Sequence, residues 1–237
     1  EGMVKGFEIV DGLFNLPYDH AMTICKLMKK NNIHMPWGCM MNPGGVTEEM
    51  VQLMKETGCQ KIEFGSDAGC DRILKILHKN YKKQDIINAH NIVMKYGITP
   101  MHCVFLGSPG ETVDSLNETI DLMEQLAPYE GENPIQVYFN FGYRIFDQTK
   151  LYEIAIEQGV ISKKDNLAVP RYYFEPTLLK DDNVLDMIQS RVLNHPNWYL
   201  WWGLDRIRLA DRVREANKEF RKINQLFDMA MEDNDEE

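Results

Sequence analysis

The sequence predicts an α/β fold in which parallel strands, with helices outside them, form a barrel or part of a barrel. Five short apolar segments alternate with amphipathic helical patterns through the first two thirds of the 237 residues, and turn-forming residues bound each segment. Strands that alternate with helices pair in parallel. Right-handed crossovers then curl such a sheet, and barrels of this kind carry their chemistry at the carboxyl ends of the strands.

Local signals justify the elements in chain order. Thr47 is placed to cap a helix whose first turn carries Glu48 and Glu49, and acidic side chains stabilise that helix terminus. Gly58 and Gly97 fall where a helix ends and the next strand begins, as a left-handed C-cap requires. The predicted strands cover residues 6–10, 34–41, 61–65, 99–106 and 135–141.

The alternation ends in the last third of the chain. An aromatic and proline-rich connection covers residues 170–176, and a second aromatic block covers residues 197–202. Apolar residues at spacings of four and three from 209 to 230 predict one C-terminal helix. We therefore predict a partial barrel at residues 1–164, and an aromatic-rich connection with a helical extension at residues 165–237.

Composition argues against several classes of function. The formal net charge is −10, and residues 232–237 contribute five of the negative charges, so the chain lacks the basic footprint of proteins that bind phosphate backbones. No apolar run approaches the roughly 20 residues that span a bilayer, and the first residues show no signal-peptide pattern. The five cysteines are scattered, which fits a reducing cytoplasm. We expect a cytoplasmic protein with no membrane partner and no preference for nucleic acid.

Polar and small residues follow the predicted strands, at the end where a barrel carries its chemistry. Glycine lets the backbone approach a ligand closely, and the fork of an arginine guanidinium suits a carboxylate or another anionic substrate group. Cys39 and Cys103 occupy strand positions from which they are expected to face the barrel interior. The candidate site residues are Asp11, Asn15, Ser66, Asp67, Leu106, Gly107, Ser108 and Arg144.

Several of these segments, in the same order along the chain, resemble a known family. Residues 64–74 are similar to the pattern Gly-x-Glu-Ser-Gly-Ser, and residues 107–112 are similar to Gly-Leu-Pro-Gly-Glu-Thr. Residues 7–15 resemble a barrel strand with its Asp-x-x-Phe turn, and residues 143–152 resemble Tyr-Pro-x-Thr-x-Leu. Over residues 5–180 the chain resembles radical S-adenosylmethionine (radical SAM) enzymes, especially those with an upstream cobalamin-binding domain.

The resemblance implies a parallel partial (β/α)6 TIM-like barrel that is missing its first strand, because five strands are found where the family has six. The family's Cys-x-x-x-Cys-x-x-Cys motif follows that first strand. The motif is therefore expected before Glu1, and no metal ligand is expected in this chain. The implied cofactors are S-adenosylmethionine, a [4Fe–4S] cluster with ligands outside this chain, and cobalamin in an upstream domain.

The resemblance also implies partners and residue roles. The partners are a small-molecule substrate, a reductant for the cluster, and the C-terminal region or a second copy of the chain at the open barrel edge. Asp11 and Asn15 are expected to hold the methionine amine. Asp67, which replaces the family's Glu, is expected to accept hydrogen bonds from the ribose or the amine, with Ser66 beside it. The backbone of residues 106–108 is expected to line the adenine.

Structural alternatives stand beside these roles. Asp67 is also placed to cap the helix that begins near Asp71, and Asp11 to end its strand through a bond from side chain to backbone. Glu111 is placed to brace its own loop, and Arg144 to form a structural ion pair. Two other functions remain open, an RNA-modifying enzyme similar to methylthiotransferases and a noncatalytic barrel that has lost its cluster.

Overall fold

The computed structural model describes residues 4–130, 134–180 and 182–200. The strands are β1 (Phe7–Ile9), β2 (Trp37–Met41), β3 (Cys59–Asp67), β4 (Thr99–Leu106), β5 (Val137–Phe141), β6 (Tyr143–Arg144), β7 (Tyr172–Tyr173) and β8 (Trp198–Leu200). Strands β1 to β5 and β8 form one parallel sheet in that spatial order, and β6 and β7 form a separate antiparallel pair. This topology confirms the predicted parallel α/β fold.

Helices connect successive strands of the main sheet. They are α1 (Tyr18–Lys30), α2 (Glu48–Glu56), α3 (Asp71–Ile76), α4 (Lys83–Lys95), α5 (Val113–Leu126), α6 (Lys150–Glu157) and α7 (Asp182–Leu193), with a 3₁₀ turn at Leu178–Lys180. The predicted end signals are in place. The Thr47 hydroxyl accepts a hydrogen bond from the Met50 N–H at 3.2 Å, and Gly58 and Gly97 have positive φ angles of 98° and 63°.

The two faces of the main sheet differ in character. Successive residues of a strand point to opposite faces. In β3, Ile62, Phe64 and Ser66 are fully buried towards the helices, and Glu63 and Gly65 lie on the opposite, inner face. One apolar core joins β2 and β3 to α1, α2 and α4, and a second joins β4, β5 and β8 to α3, α5 and α7. Burial of each large apolar side chain contributes about 1.5–3 kcal/mol.

The strand β8 corrects the predicted strand count. The sequence analysis placed it in the aromatic block of the extension, but it pairs in parallel with β5. Trp198 is 5% exposed, and its indole N–H donates to the Ala127 carbonyl at 3.2 Å. The Asn197 side chain donates to the same oxygen at 3.0 Å. The aromatic block at residues 197–202 lacks the alternation of apolar and polar residues that indicates a strand.

The two ends of the chain are described in part. Among the described residues, β1 lies at one end of the main sheet with β2 as its partner. The predicted C-terminal helix, at residues 209–230, lies outside the described residues. None of the helices described is long and apolar enough to cross a membrane.

Candidate functional site

Asp67 ends β3 at the carboxyl edge of the main sheet, and its carboxylate is held from two sides. The Tyr81 hydroxyl donates to Asp67 Oδ2 at 2.6 Å, and the Lys79 ammonium lies 2.7 Å from the same oxygen. Burial, followed by the charge of Asp67, raises the pKa of Tyr81, so this hydroxyl stays protonated and donates. The Asp67 side chain is 13% exposed. Two residues that precede α4 therefore fix its orientation.

The backbone of Asp67 is left-handed, with φ of 55°. The pairing of β3 with β4 shifts register between Gly65 and Asp67. A left-handed conformation is uncommon for a non-glycine residue, and aspartate is among the residues that adopt it most readily. The structure does not support the capping alternative, because α3 begins after Cys70 and that N-cap position has no side-chain hydrogen bond.

Ser66 points towards the helices and begins a buried chain of hydrogen bonds. Its Oγ lies 2.9 Å from His102 Nδ1, and His102 Nε2 lies 3.0 Å from Nδ1 of His90 on α4. Burial lowers the pKa of His102 to about 3 and that of His90 to about 4. Both imidazoles are therefore neutral near pH 7, so each ring has one N–H donor and one acceptor nitrogen. The geometry makes Ser66 an anchor between the end of β3 and α4, on the face opposite to Glu63 and Gly65.

Two acidic side chains hold the loop that follows β4. Glu111 is 1% exposed, and its Oε2 accepts hydrogen bonds from the N–H groups of Gly107 and Ser108. Burial raises the pKa of Glu111 to about 7. Glu175, which lies 65 residues after Gly110 in the sequence, accepts a hydrogen bond from the Gly110 N–H at its Oε2, at 2.7 Å. Glu111 therefore braces its own loop, as the structural alternative expected.

The backbone at Leu106 and Gly107 is confined on both sides. Leu106 is fully buried towards the helices, and its carbonyl accepts the Gly142 N–H at 2.8 Å. Gly107 has φ of 90°, and a Cβ at this position would lie 2.1 Å from the Phe174 ring. Glycine is required here both for its left-handed backbone and for the close approach of the ring.

Three buried polar atoms at the carboxyl ends of the strands make no hydrogen bond within the described part of the chain. They are Ser108 Oγ, Glu111 Oε1 and Tyr143 Oη. Burial, and then the charges of Glu111 and Asp67, raise the pKa of Tyr143, so its hydroxyl stays protonated. An unsatisfied buried polar atom costs about 1–3 kcal/mol. Their partners are therefore not found among the described residues.

Asn15 and Asp11 occupy different environments in the loop after β1. Asn15 is 2% exposed. Its amide donates to the Asn42 and Gly44 carbonyls at 2.8 and 3.3 Å, and its Oδ1 accepts the Asn42 N–H at 2.9 Å. Asn15 thus joins the loops that follow β1 and β2. Asp11 is exposed, and its Oδ1 accepts the N–H of Gly12 at 2.8 Å, which agrees with its strand-ending alternative.

Arg144 lies outside the main sheet. It belongs to β6 and pairs with Tyr172 of β7. Its side chain is exposed, and the guanidinium carbon lies 4.7 Å from the centre of the Phe146 ring. The guanidinium therefore stacks on an aromatic ring.

Sequence reasoning missed several residues on the inner face. Asn140 Nδ2 lies 3.0 Å from Cys103 Sγ, and burial raises the pKa of the Cys103 thiol to about 12. Tyr138 pairs with this cysteine on β5, and Glu63 stands two residues before its partner Gly65 on β3. Strand alternation was the available signal, because each of these polar side chains stands between residues that face the helices. The expectation for Cys39 was wrong, because it is fully buried among the residues that pack towards the helices.

A metal centre is not found in the described part of the chain. No group of three His, Cys, Asp or Glu side chains there is arranged to hold a metal ion. The described residues therefore do not fit a [4Fe–4S] cluster.

Comparisons with known proteins agree with the fold. The sequence model described as the radical SAM superfamily matches residues 1–123. A solved structure of the radical S-adenosylmethionine methyltransferase TsrM from Kitasatospora setae, with cobalamin and a [4Fe–4S] cluster bound, has a TM-score of 0.67 and 18% sequence identity. The similarity covers 83% of this chain and 44% of TsrM, and it shows a common fold.

Two curated relatives show higher sequence identity than TsrM, over different lengths. An uncharacterized methyltransferase of Pyrococcus horikoshii is 26% identical over 199 residues, which are 76% of this chain and 43% of that protein. A tRNA-2-methylthio-N(6)-dimethylallyladenosine synthase of Clostridium tetani is 28% identical over 89 residues, which are 36% of this chain and 20% of that protein. In both relatives and in TsrM, the matched part is less than half of the protein.

Proposed function

This chain belongs to the radical SAM superfamily, and from that premise we propose that it supplies the S-adenosylmethionine-binding surface of an enzyme that transfers a methyl group to a small-molecule substrate. Two similar proteins, TsrM and the Pyrococcus horikoshii protein, are named methyltransferases, which supports this reaction class. TsrM was solved with cobalamin, which supports cobalamin as a second cofactor, outside the residues described here.

The observation that carries the proposal is the fixed carboxylate of Asp67 beside unsatisfied buried atoms. Asp67 Oδ2 is held by Lys79 and Tyr81, and its other oxygen remains for paired hydroxyls or an amine. Ser108 Oγ and Glu111 Oε1 are buried without partners in the described chain. In this arrangement Asp67 orients the ribose or the amine of the cosubstrate, and the loop after β4 lines its adenine.

S-adenosylmethionine and the [4Fe–4S] cluster together define the task of the residues in this chain. A [4Fe–4S] cluster held outside the described residues would, when reduced, supply the electron for radical chemistry on S-adenosylmethionine. The residues of this chain bind the nucleoside, fix its orientation and keep water from its buried side. The proposal therefore includes a reductant for the cluster as a partner, and cluster ligands other than the residues described here.

The other two functions receive less support. The match to the methylthio-adenosine synthase covers 36% of this chain, against 76% for the Pyrococcus horikoshii methyltransferase. The formal net charge of −10 also opposes an RNA substrate. A noncatalytic barrel would have no need for a carboxylate held in a left-handed backbone conformation beside unsatisfied polar atoms.

Binding of 5′-deoxyadenosine to the 237-residue chain tests the proposal. This nucleoside lacks the methionine part, so its binding depends on the barrel residues alone. Ligand-observed NMR titration should detect binding that Asp67→Asn weakens by about tenfold or more, because a hydrogen bond to a charged group contributes about 1.5–3 kcal/mol. Glu118→Gln removes an exposed charge from α5 and should leave the affinity unchanged.

Two outcomes would contradict the proposal. One is the absence of 5′-deoxyadenosine binding to the folded wild-type chain. The other is an unchanged affinity in Asp67→Asn together with a lower melting temperature, which would make Asp67 a structural residue.

A further inference from the structure

Glu63 is a carboxylate on the inner face of the sheet for which the described chain provides no partner. Its neighbours in β3, Ile62 and Phe64, are fully buried towards the helices, so Glu63 points to the opposite face. It forms no hydrogen bond, and no ion pair within 4.0 Å, with the described residues. Burial raises the pKa of Glu63, and the charge of Lys61 opposes that shift. A partly buried carboxylate without a partner is energetically unfavourable, so a cation at this position would be stabilised.

The inner face around Glu63 provides room and aromatic surface. Gly65 is the next inward residue of β3, and a Cβ placed there would approach only the Asp67 carboxylate, at 3.9 Å. Gly65 pairs with Cys103 on β4, Cys103 pairs with Tyr138 on β5, and Tyr138 pairs with Tyr199 on β8. The rings of Tyr138 and Tyr199 stack with centroids 5.2 Å apart.

These rings are accessible to a ligand. Tyr199 is 41% exposed, and Tyr138 is partly exposed. Aromatic faces attract cations through the ring quadrupole, and they also stack with other aromatic rings. Tyr138 and Tyr199 are level with Gly65, two and three strands away from β3. The inner face therefore suits a cationic group at Glu63 attached to a planar or aromatic body that extends across β4.

The charges on this face leave an excess of one carboxylate. Lys61 is the inward residue before Glu63, and its ammonium lies 3.8 Å from Glu8 on β1. Glu8, Lys61 and Glu63 together carry two carboxylates and one ammonium. The Lys61 ammonium is paired with Glu8 and forms no ion pair within 4.0 Å with Glu63. Lys61 therefore reduces the negative charge at Glu63 without neutralising it.

We infer that Glu63 anchors a substrate subsite for an organic amine, with Tyr138 and Tyr199 contacting the planar or aromatic part of the same molecule. The inference rests on the proposed function and specifies its substrate class. Glu63 precedes Asp67 by four residues on the same strand, a separation of about 13 Å at ~3.3 Å per residue. The amine therefore binds deeper in the barrel than the nucleoside, and the opposite end of the substrate points towards the cosubstrate.

Phenethylamine is the probe for this subsite, because it joins an ammonium group to one aromatic ring. Its affinity for the 237-residue chain is measured by NMR titration beside two matched compounds, neutral 2-phenylethanol and anionic 3-phenylpropionate. We expect phenethylamine to bind about tenfold more tightly than either. Glu63→Gln should weaken phenethylamine about tenfold, and Glu63→Asp should retain part of the affinity because it keeps the charge.

Two further variants sharpen the test. Lys61→Gln removes the competing ammonium and should strengthen phenethylamine binding by about threefold. Glu118→Gln, which deletes one exposed carboxylate on α5, should have no effect. Equal affinities for phenethylamine and 2-phenylethanol would overturn the inference, as would an unchanged affinity in Glu63→Gln.

Binding of 5′-deoxyadenosine to the same variants separates this inference from the proposed function. Glu63→Gln should bind 5′-deoxyadenosine like the wild type, and a parallel loss of both ligands would make Glu63 structural and overturn the subsite. If wild type binds phenethylamine through Glu63 and not 5′-deoxyadenosine, the subsite stands and the proposed function fails. If it binds 5′-deoxyadenosine and not phenethylamine, the proposed function stands and the subsite fails.

Discussion

The Lys79 ammonium lies 2.7 Å from Asp67 Oδ2, and this ion pair joins the segment before α4 to the end of β3. The Lys79 and Asp67 side chains are 32% and 13% exposed, so water screens the pair only in part. The Tyr81 hydroxyl donates to the same oxygen. The carboxylate is therefore oriented before any ligand arrives, which reduces the entropy that binding must overcome.

Replacing Lys79 should therefore weaken nucleoside binding as well as the fold. We expect Lys79→Ala to reduce 5′-deoxyadenosine affinity by threefold to tenfold, which corresponds to about 1 kcal/mol, and to lower stability by about 1 kcal/mol. Lys79→Arg should restore most of the affinity. The control is Lys75→Ala, which removes an exposed ammonium from the last turn of α3. Equal affinities for Lys79→Ala and Lys75→Ala would show that the ion pair does not orient the site.

The buried histidines should make stability depend on pH. Burial lowers the pKa of His90 from 6.5 to about 4 and that of His102 to about 3. Between these values and about pH 6.5, the unfolded chain binds protons that the folded chain does not. The stability that the neutral histidines provide is therefore complete above about pH 6.5 and is lost as pH falls towards 4, by up to about 1.4 kcal/mol per pH unit for each histidine.

Urea unfolding across this range checks the effect. His90→Gln keeps a neutral hydrogen-bonding group next to His102 and should flatten the pH dependence. His20→Gln, at an exposed histidine of α1, should leave it as in the wild type. Parallel curves for His90→Gln and the wild type would contradict the assignment of a lowered pKa to His90.

How much of the fold could be predicted depends on how far apart in the sequence the interacting residues are. Strand β4 was predicted with its exact bounds of Thr99–Leu106, and the helix cap at Thr47 was confirmed. Both depend on residues within a few positions of each other. The strand β8 depends on pairing with β5, about 60 residues earlier in the chain, and on hydrogen bonds to Ala127. Contacts at that separation leave no local pattern.

The positions of the polar residues at the strand ends were predictable from the sequence, but the orientations of their side chains were not. Asp67 and Ser66 were assigned to one ligand, yet they are adjacent in β3. The chain alternates there and shifts register, so Ser66 faces His102 while Asp67 meets Lys79 and Tyr81. Sequence alternation alone would have separated the two residues. The partners of Asp67 depend on the path of the chain after α3, which the sequence pattern does not specify.

Gly107 should tolerate no side chain. Its φ of 90° is unfavourable for alanine, and an added Cβ would lie 2.1 Å from the Phe174 ring. Backbone strain and the clash each cost about 1–3 kcal/mol, so Gly107→Ala should lower the free energy of unfolding by at least about 2 kcal/mol. Gly12→Ala is the control, because a Cβ at Gly12 would meet no atom within 4 Å. Combining Gly107→Ala with Phe174→Leu should restore part of the loss that is due to the clash. Similar stabilities for Gly107→Ala and Gly12→Ala would contradict the close contact with Phe174.

Glu111 should make the fold less stable as pH rises. Burial raises its pKa from 4.5 to about 7, so between these values the folded chain holds a proton that the unfolded chain has released. Its contribution is complete below about pH 4.5 and is lost as pH rises through 7, by up to about 1.4 kcal/mol per pH unit.

Glu111→Gln is neutral and keeps an oxygen for the N–H groups of Gly107 and Ser108, so its urea unfolding should lack this loss. Glu111→Ala removes that acceptor and should be destabilised by about 1–3 kcal/mol at every pH. Glu49→Gln, at an exposed position in α2, should follow the wild type. If Glu111→Gln also follows the wild type from pH 4.5 to pH 7, the carboxyl group is ionised throughout that range and the protonated form has no part in holding the loop.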